Sequence, residues 1–474
     1  MAPKKFSRKT IGILLSIVLL IFIAIQFIRP PLSNPPVTAD LDAPPAVKEI
    51  IKRACYDCHS NETRLAWFDQ PAPAYWQVVK DVQKGRAVLN FSHWDSLPKP
   101  QQAAKLFESL FQIEFNAMPL PQYRWLHHGA KINAEDITVL RQYLLTLAPS
   151  QAPDTARQNA ALDQYEKWIA TATAARTRPT DVRTEFNGIS YDGLSGFKYW
   201  KSISTSERFD NGTLRVIFAN DIAVKAIREG HINPWPDGTT FAKAAWDQSA
   251  DSTGIIHAGA FKQVEFMIRD RQRYASTAGW GWARWVGGLA LKPYGHDSLF
   301  TTECINCHRP LADNDHVFTF PIADTLSLPN TALAAPAPAY ATLSSAAGTP
   351  INPLMGKVIT SFVNKDDGTM STLYGNDMAA QNARAGRNYL PGSVLSLVTW
   401  SQRDDPHWFG ARIPGSLRSI EQITFAAAPG NATPSYEKYE GAPPEKSLPP
   451  DPDTIRKRVA YITGFKASVV PRVN

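Results

Sequence analysis

Residues 210–230 read DNGTLRVIFANDIAVKAIREG, and residues 366–386 read DDGTMSTLYGNDMAAQNARAG. The two stretches align without a gap and agree at eight of 21 positions, including the Gly-Thr pair, the Asn-Asp pair and the closing Arg and Gly. Each reads as a strand, an Asn/Asp helix start, and a short helix ended by glycine. The correspondence runs on: Gly238 with Gly392, Trp246 with Trp400, Gln248 with Gln402, and Phe261-x-x-Val264-Glu265 with Leu417-x-x-Ile420-Glu421. Matches in this order mark a duplicated unit of roughly 130–150 residues. Two copies make a tandem pair; a solenoid needs at least three.

Around this pair lies a chain of 474 residues, 44% hydrophobic and 20% charged. That allows a packed core and roughly three domains, and it excludes a wholly disordered chain. The prolines cluster. RPPLSNPPVTADLDAPP (29–45) reads as a stalk, and the Ala/Pro-rich stretch 329–350 as the joint between the two copies. The net charge is +7, of which Lys4, Lys5, Arg8 and Lys9 supply four, so the remainder does not argue for nucleic acid.

Those basic residues precede IGILLSIVLLIFIAIQFI (11–28), interrupted only by Gly12, Ser16 and Gln26. The run is about long enough to cross a bilayer, and the positive-inside rule keeps the N-terminus cytoplasmic. No small-x-small cleavage site follows closely, which favours an uncleaved anchor over a signal peptide. The expectation is a single-pass protein of the bacterial inner membrane with its bulk in the periplasm.

All four cysteines fall in two copies of one pattern, Cys55-Tyr-Asp-Cys58-His59 and Cys304-Ile-Asn-Cys307-His308. In C-x-x-C-H the thiols add across the haem vinyl groups and the histidine ligates iron. A shared zinc ion or two redox disulfides are the alternatives. Neither requires histidine directly after both pairs, a remote coincidence with ten histidines in the chain. The reading is two covalently bound c-type haems, with His59 and His308 as iron ligands.

A compact segment carries the first motif. Asn133 can cap its last helix, whose Ile137, Leu140, Tyr143, Leu144 and Leu147 share a face. Between motif and helix comes Met118-Pro119, an order that resembles single-haem cytochromes c; the resemblance implies Met118 as sixth ligand, suited to electron transfer. Core packing is the plain alternative for Met118, and His127 and His128, expected on a surface loop, are its rivals. The stretches CYDCHSNETRLAWFDQPAPAYW (55–76) and LNFSHW (89–94) also resemble a family of bacterial haem-binding domains.

FDNGTLRVIFANDIAVKAIREG, NPWPDGTTFAK, FKQVEFMIRD, YASTAGWGWARW and TTECINCHRP occur in that order between 209 and 310. The set resembles the cytochrome P-460 family, which includes cytochrome c-prime-beta. The resemblance implies a β-rich domain, a five-coordinate haem with an open face, and a small nitrogenous ligand: hydroxylamine to oxidise, or nitric oxide to bind. It also implies that Lys243, in Asp237-Gly-Thr-Thr-Phe-Ala-Lys243, is the lysine bonded to the haem ring; a solvated strand lysine is the plain alternative. Where hydroxylamine-oxidising relatives carry an acid, this chain has Ser276 and Thr277, with Asp270 and Glu265 as substitutes more often found facing solvent. Trp280 and Trp282 share a strand face, for core packing or an apolar distal wall. In the second copy Leu397 stands for Lys243, and no cysteine follows Cys307, so no c-type haem fits there. Asp404-Asp405-Pro-His407-Trp408 reads as an ordinary loop.

The fold class is therefore multidomain α+β: an N-terminal transmembrane helix, a mainly α cytochrome c-like domain, then two tandem β-rich P-460-like domains. The expected parts are 1–30 stub and anchor, 31–45 linker, 46–148 first haem domain, 149–183 connector, 184–328 second haem domain, 329–350 linker, and 351–474 haem-less copy with tail. The expected function is an oxidoreductase that oxidises hydroxylamine and passes electrons to a redox partner protein, quinol or cytochrome chain component. A gas-binding module and a plain electron carrier are its rivals.

Overall fold

The computed structural model describes residues 8–171, 187–295, 300–324, 342–343, 352–426, 434–441 and 444–471. Lys4, Lys5, part of the 149–183 connector and nearly all of the 329–350 joint lie outside the described residues. The chain divides into two compact units, 1–147 and 148–474.

The first unit is helical: α1 (Arg8–Ile25), α2 (Pro45–His59), α3 (Ala74–Val88), α4 (Lys99–Glu114), α5 (Pro121–Leu126) and α6 (Ala134–Leu147). α1 buries none of its side chains, and it is long and apolar enough to cross a membrane. α2, α4 and α6 bury residues at helical spacing: Val47, Ile50 and Ile51; Leu106, Leu110 and Phe111; Leu140 and Leu144. α6 opens on Asn133, whose Oδ1 accepts from the Asp136 N–H (2.8 Å) while Asp136 answers to the Asn133 N–H (2.9 Å).

The proline-rich stretch after α1 is tied down along its length. Gln26 exchanges hydrogen bonds with the Ala72 backbone (2.8 and 3.1 Å), and Arg29 lies 4.0 Å over the Tyr75 ring. Arg86 donates to Ser33 O and Asn34 Oδ1, and Asn61 to Pro36 O. Extended proline-containing backbone exposes carbonyls that find no partner within the segment, so neighbouring arginine and amide side chains take them.

The second unit begins with α7 (Thr155–Ala170), capped by Asp154 and carrying the buried Trp168. Its body is β: β1 (Lys201–Arg208), β2 (Thr213–Ala219), β3 (Thr240–Ala250), β4 (Ile255–Arg269) and β5 (Trp280–Val286), then β9 (Lys357–Asn364), β10 (Thr369–Gly375), β11 (Val394–Asp404), β12 (Ala411–Thr424) and β13 (Ser435–Glu440). Pairs of residues form β6 (Lys292–Pro293), β7 (Ala323–Asp324), β8 (Thr342–Leu343) and β14 (Glu445–Lys446). The helices α8 (Asp221–Glu229), α9 (Phe300–His308), α10 (Asp377–Arg384) and α11 (Pro452–Thr463) complete it.

The duplication is visible in detail. Asn220 and Asn376 cap α8 and α10, each accepting from the third residue on and donating to Gly238 O or Gly392 O at 2.8 Å. Both glycines sit at φ +88°, the left-handed region that favours glycine.

The two copies also share one sheet. The order β1-β2-β3-β4-β9-β10-β11-β12 returns to β1 through a β1–β12 pairing, so eight antiparallel strands close into a barrel, four from each copy. The two seams are equivalent under the repeat. Ile256 faces Val363 at one, and Glu207 faces Arg412 at the other. The expected 329–350 joint therefore separates two halves of one barrel. Its core is common to both: Leu214, Val216, Phe218 and Trp246 pack in one cluster with Met370, Tyr374, Trp400 and Ile420. Alternate residues of β2 turn to the other face, where Ile217 and Ala219 join Phe241, Trp280, Trp282 and Ile305 of α9. That outer face of the first copy carries the second C-x-x-C-H.

Candidate functional site

In the first unit Cys55, Cys58 and His59 occupy the end of α2. His59 Nδ1 lies 3.0 Å from Leu89 O, which directs the proton to Nδ1 and leaves Nε2 as the nitrogen with a lone pair able to ligate a metal. Burial holds this imidazole below its usual pKa and pushes the Cys55 and Cys58 thiols up to about 12. Gly85 of α3 lies against this turn, where a Cβ would meet Cys58 O at 2.5 Å. Tyr123 donates to Asp57, between the two cysteines, at 2.5 Å.

Met118 follows α4 and is 36% exposed. His127 is not the surface-loop residue expected from sequence: its side chain is 15% exposed and stacks on Tyr123 at 3.9 Å. Its Nδ1 meets Tyr123 O (3.1 Å) and its Nε2 meets Asp69 (3.0 Å), so both ring nitrogens are engaged within the protein.

In the second unit Cys304, Cys307 and His308 end α9. His308 Nδ1 lies 2.7 Å from His316 O, again leaving Nε2 as the nitrogen with a lone pair able to ligate a metal. Burial drives the imidazole down to about pH 4 and the Cys304 thiol up to about 12. Asp315 and His316 adopt φ of +46° and +66°, costing about 1–3 kcal/mol each in a side-chain-bearing residue. The turn is pinned by Asp315, which pairs with Arg269 (3.2 Å), accepts from Trp235 N (2.8 Å) and offers its carbonyl to Trp280 Nε1 (2.9 Å).

Facing α9, the sheet presents a row of charges at the strand period. Lys243 of β3 is registered opposite Glu265 of β4, and Glu265 opposite Arg284 of β5. Glu265 pairs with Lys243 Nζ and with Arg284 (3.2 Å). Burial lowers Lys243 to about 8, helped by Arg215 and Arg284 and opposed by Glu265. Burial alone would raise Glu265, but Lys243, Arg284 and Arg215 hold it far below the carboxylate range. Glu265 is thus an ion-paired wall residue rather than a solvent-facing one. Asp270 caps a turn through Gln272 N and Arg273 N, and the Thr277 hydroxyl donates to Trp280 O.

These residues fit a haem. Arg215 is buried, and its Nε bonds the Thr213 hydroxyl (3.2 Å). Burial and the neighbouring Arg208 bring it down to about 9, an environment that an anionic propionate would relieve. Trp282, whose ring lies 5.5 Å from that of His308, has a buried Nε1 without a partner among the described residues. The four thiols form no disulfide, and no group of three or more His, Cys, Asp or Glu side chains converges on a metal site among the described residues.

Arg215, Arg284 and His316 escaped the sequence reading. Charged residues at period-2 positions inside apolar strands, as in TLRVIFA and WGWARWV, were the available signal. In the second copy the register repeats with Leu397 opposite Glu421, and that carboxylate is held instead by Arg458 of α11 at 2.5 and 2.6 Å.

Comparison with known families gives the same order of parts. Residues 20–146 match the haem-binding domain family, and residues 194–319 match cytochrome P460. No curated protein matches the chain. A haem-binding domain followed by a P460-like domain makes this a haem-containing cytochrome.

Proposed function

We propose that this is a membrane-anchored dihaem c-type cytochrome of the bacterial inner membrane, facing the periplasm, that oxidises hydroxylamine or a similar small nitrogen compound. Cys55 and Cys58 would hold the first haem, with His59 and Met118 as its iron ligands, and that centre would pass electrons to a redox partner or quinol/cytochrome chain component. Cys304, Cys307 and His308 would hold the second. When bound, haem would supply an electron acceptor and a binding position for the substrate nitrogen.

The observation that carries the reading is Lys243. It lies on the wall facing α9, registered directly opposite Glu265, with its amine brought down to about 8. Burial therefore shifts this amine toward its neutral form relative to an ordinary lysine, against the pull of its Glu265 partner. The neutral amine is the nucleophilic form; joining it to a ring carbon would replace one N–H and one ring C–H by the N–C bond and release two protons and two electrons, which an oxidant of the peroxide class would have to take up. Glu265, itself paired with Arg284, holds the Lys243 side chain on that wall, and Arg215 would supply positive charge for a propionate.

A ferrous absorption spectrum of the haem-loaded chain beside Lys243→Ala tests this. A red-shifted Soret band that the variant loses supports it; ordinary c-type spectra in both remove the lysine bond. One observation favours a second reading, nitric oxide binding without turnover. The neutral Ser276 and Thr277 stand where an acid is expected, Thr277 is committed to Trp280 O, and Glu265 is too weak a base to take substrate protons. Turnover of hydroxylamine with electron transfer to the first haem distinguishes the two.

A further inference from the structure

The β11–β12 hairpin of the second copy, which carries Asp404 to Gly410, packs on the segment that supports His308. His407 Nδ1 lies 2.7 Å from Phe318 O. The Phe318 ring meets the His308 imidazole edge-on at 4.7 Å, and the carbonyl of His316, two residues earlier, accepts a hydrogen bond from His308 Nδ1. His407 stacks on Phe320 at 4.2 Å. Trp408 touches Phe318 (5.9 Å) and donates its indole N–H to Asp210 at 3.0 Å. Barrel closure brings this about: β12 pairs with β1, and Asp210 N donates to Gly410 O across the same seam.

We infer that the cysteine-free copy positions the axial ligand of its neighbour's haem, with His407 as the positioning residue that holds the 316–320 strap against His308. This rests on the reading of His308 as the iron's axial ligand. Burial lowers the His407 pKa, and with Nδ1 at 2.7 Å from the Phe318 carbonyl oxygen the ring N–H at that position donates to it. A firmly held strap keeps the His316 carbonyl on the His308 Nδ1–H, which makes the imidazole a stronger donor to iron and lowers the reduction potential. The hairpin's sequence, read by itself, gives no sign of this, because the residues it serves are about 90 positions away.

The experiment uses the full, haem-loaded chain and reads two quantities: the iron–histidine stretching band of the ferrous second haem by resonance Raman, and that haem's midpoint potential. His407→Phe keeps the stack on Phe320 and removes the donor; His407→Asn restores a donor near the Nδ1 position. His407→Phe is expected to move the band to lower frequency and the potential upward, with the first haem's potential unmoved, and His407→Asn to recover most of both shifts. Unchanged values in a loaded His407→Phe chain overturn the inference. So does a His407→Asn chain that behaves like His407→Phe, which would reduce the effect to shape. Should His407→Phe not load its second haem, Trp408→Phe carries the test by removing the bond to Asp210; a smaller shift in the same direction supports the inference and no shift overturns it. A wild-type chain without any iron–histidine band overturns the axial reading of His308 itself, and the inference with it.

Discussion

Ile256 sits at one seam of the barrel, fully buried and registered opposite Val363 of the other copy. Ile256→Ala should therefore weaken both copies together, although the substitution lies in one. Large-to-small changes of this kind cost about 2–5 kcal/mol, and a residue clamped between two strands has little room to collapse, so about 3.5 kcal/mol is the expectation. The second unit has roughly 330 residues; at about 2.1 cal/mol/K each its unfolding entropy is about 0.7 kcal/mol/K, and the midpoint should fall by about 5 °C. Calorimetry would read the midpoint, and hydrogen exchange would read β2–β3 and β10–β11 separately. Protection should drop in both pairs to the same extent, in a single transition. Loss confined to β2–β3, or two resolved transitions, would refute the idea that the copies form one cooperative barrel.

Three further outcomes follow from particular contacts. Gly85→Ala drives a Cβ into the Cys58 carbonyl, so the pyridine haemochrome assay should find about one haem per chain fewer than in the parent; an unchanged haem count would show that α3 can back away. Asp405 is raised to about 6 by burial, against the His407 N–H and the positive charges of Arg208, Arg403 and Arg215. A carboxyl whose folded pKa is raised stabilises the fold below its unfolded value, and that contribution is lost as pH climbs through about 6. Asp405→Asn should thus raise the melting midpoint at pH 7.5 by about 1.5–3 °C, from roughly 1–2 kcal/mol after allowance for partial exposure, and leave it nearly unchanged at about pH 3; an equal effect at both pH values would refute this. Arg458→Met leaves Glu421, 3% exposed, without its cation and should cost about 2–4 kcal/mol in denaturant unfolding, most of it recovered in Arg458→Met with Glu421→Gln.

Much of the architecture was legible because local rules wrote it. The Asn-Asp helix starts, the glycines at φ +88° and the spacing of apolar residues in α2, α4 and α6 are decided within a few residues. Barrel closure is decided elsewhere. Its seams rest on Glu207 facing Arg412 and Ile256 facing Val363, pairs separated by more than a hundred positions and drawn from two chemistries, so no pattern announces them. The candidate site divides the same way. Two C-x-x-C-H motifs disclose their own thiols and histidines. Glu265 looked like a solvent-facing strand residue, because only the sheet reveals that Lys243 and Arg284 flank it. His127 looked like a loop residue, because Asp69 and Tyr123 approach it from other elements.

The closed ring also bears on why a copy without cysteines is still there. Deleting it would expose the β1 edge and the β4 edge at once, and strip the partners from Trp246 and its neighbours in the shared core. Once the two copies had fused into a single barrel, the second was free to drift in its chemistry yet was not free to leave. Descendants of such a fusion would be expected to vary at the outer face around Leu397 and to hold the seam residues and the 404–411 hairpin nearly constant. Purifying selection on a segment with no cofactor of its own would then be the genetic trace of a structural debt to its sibling.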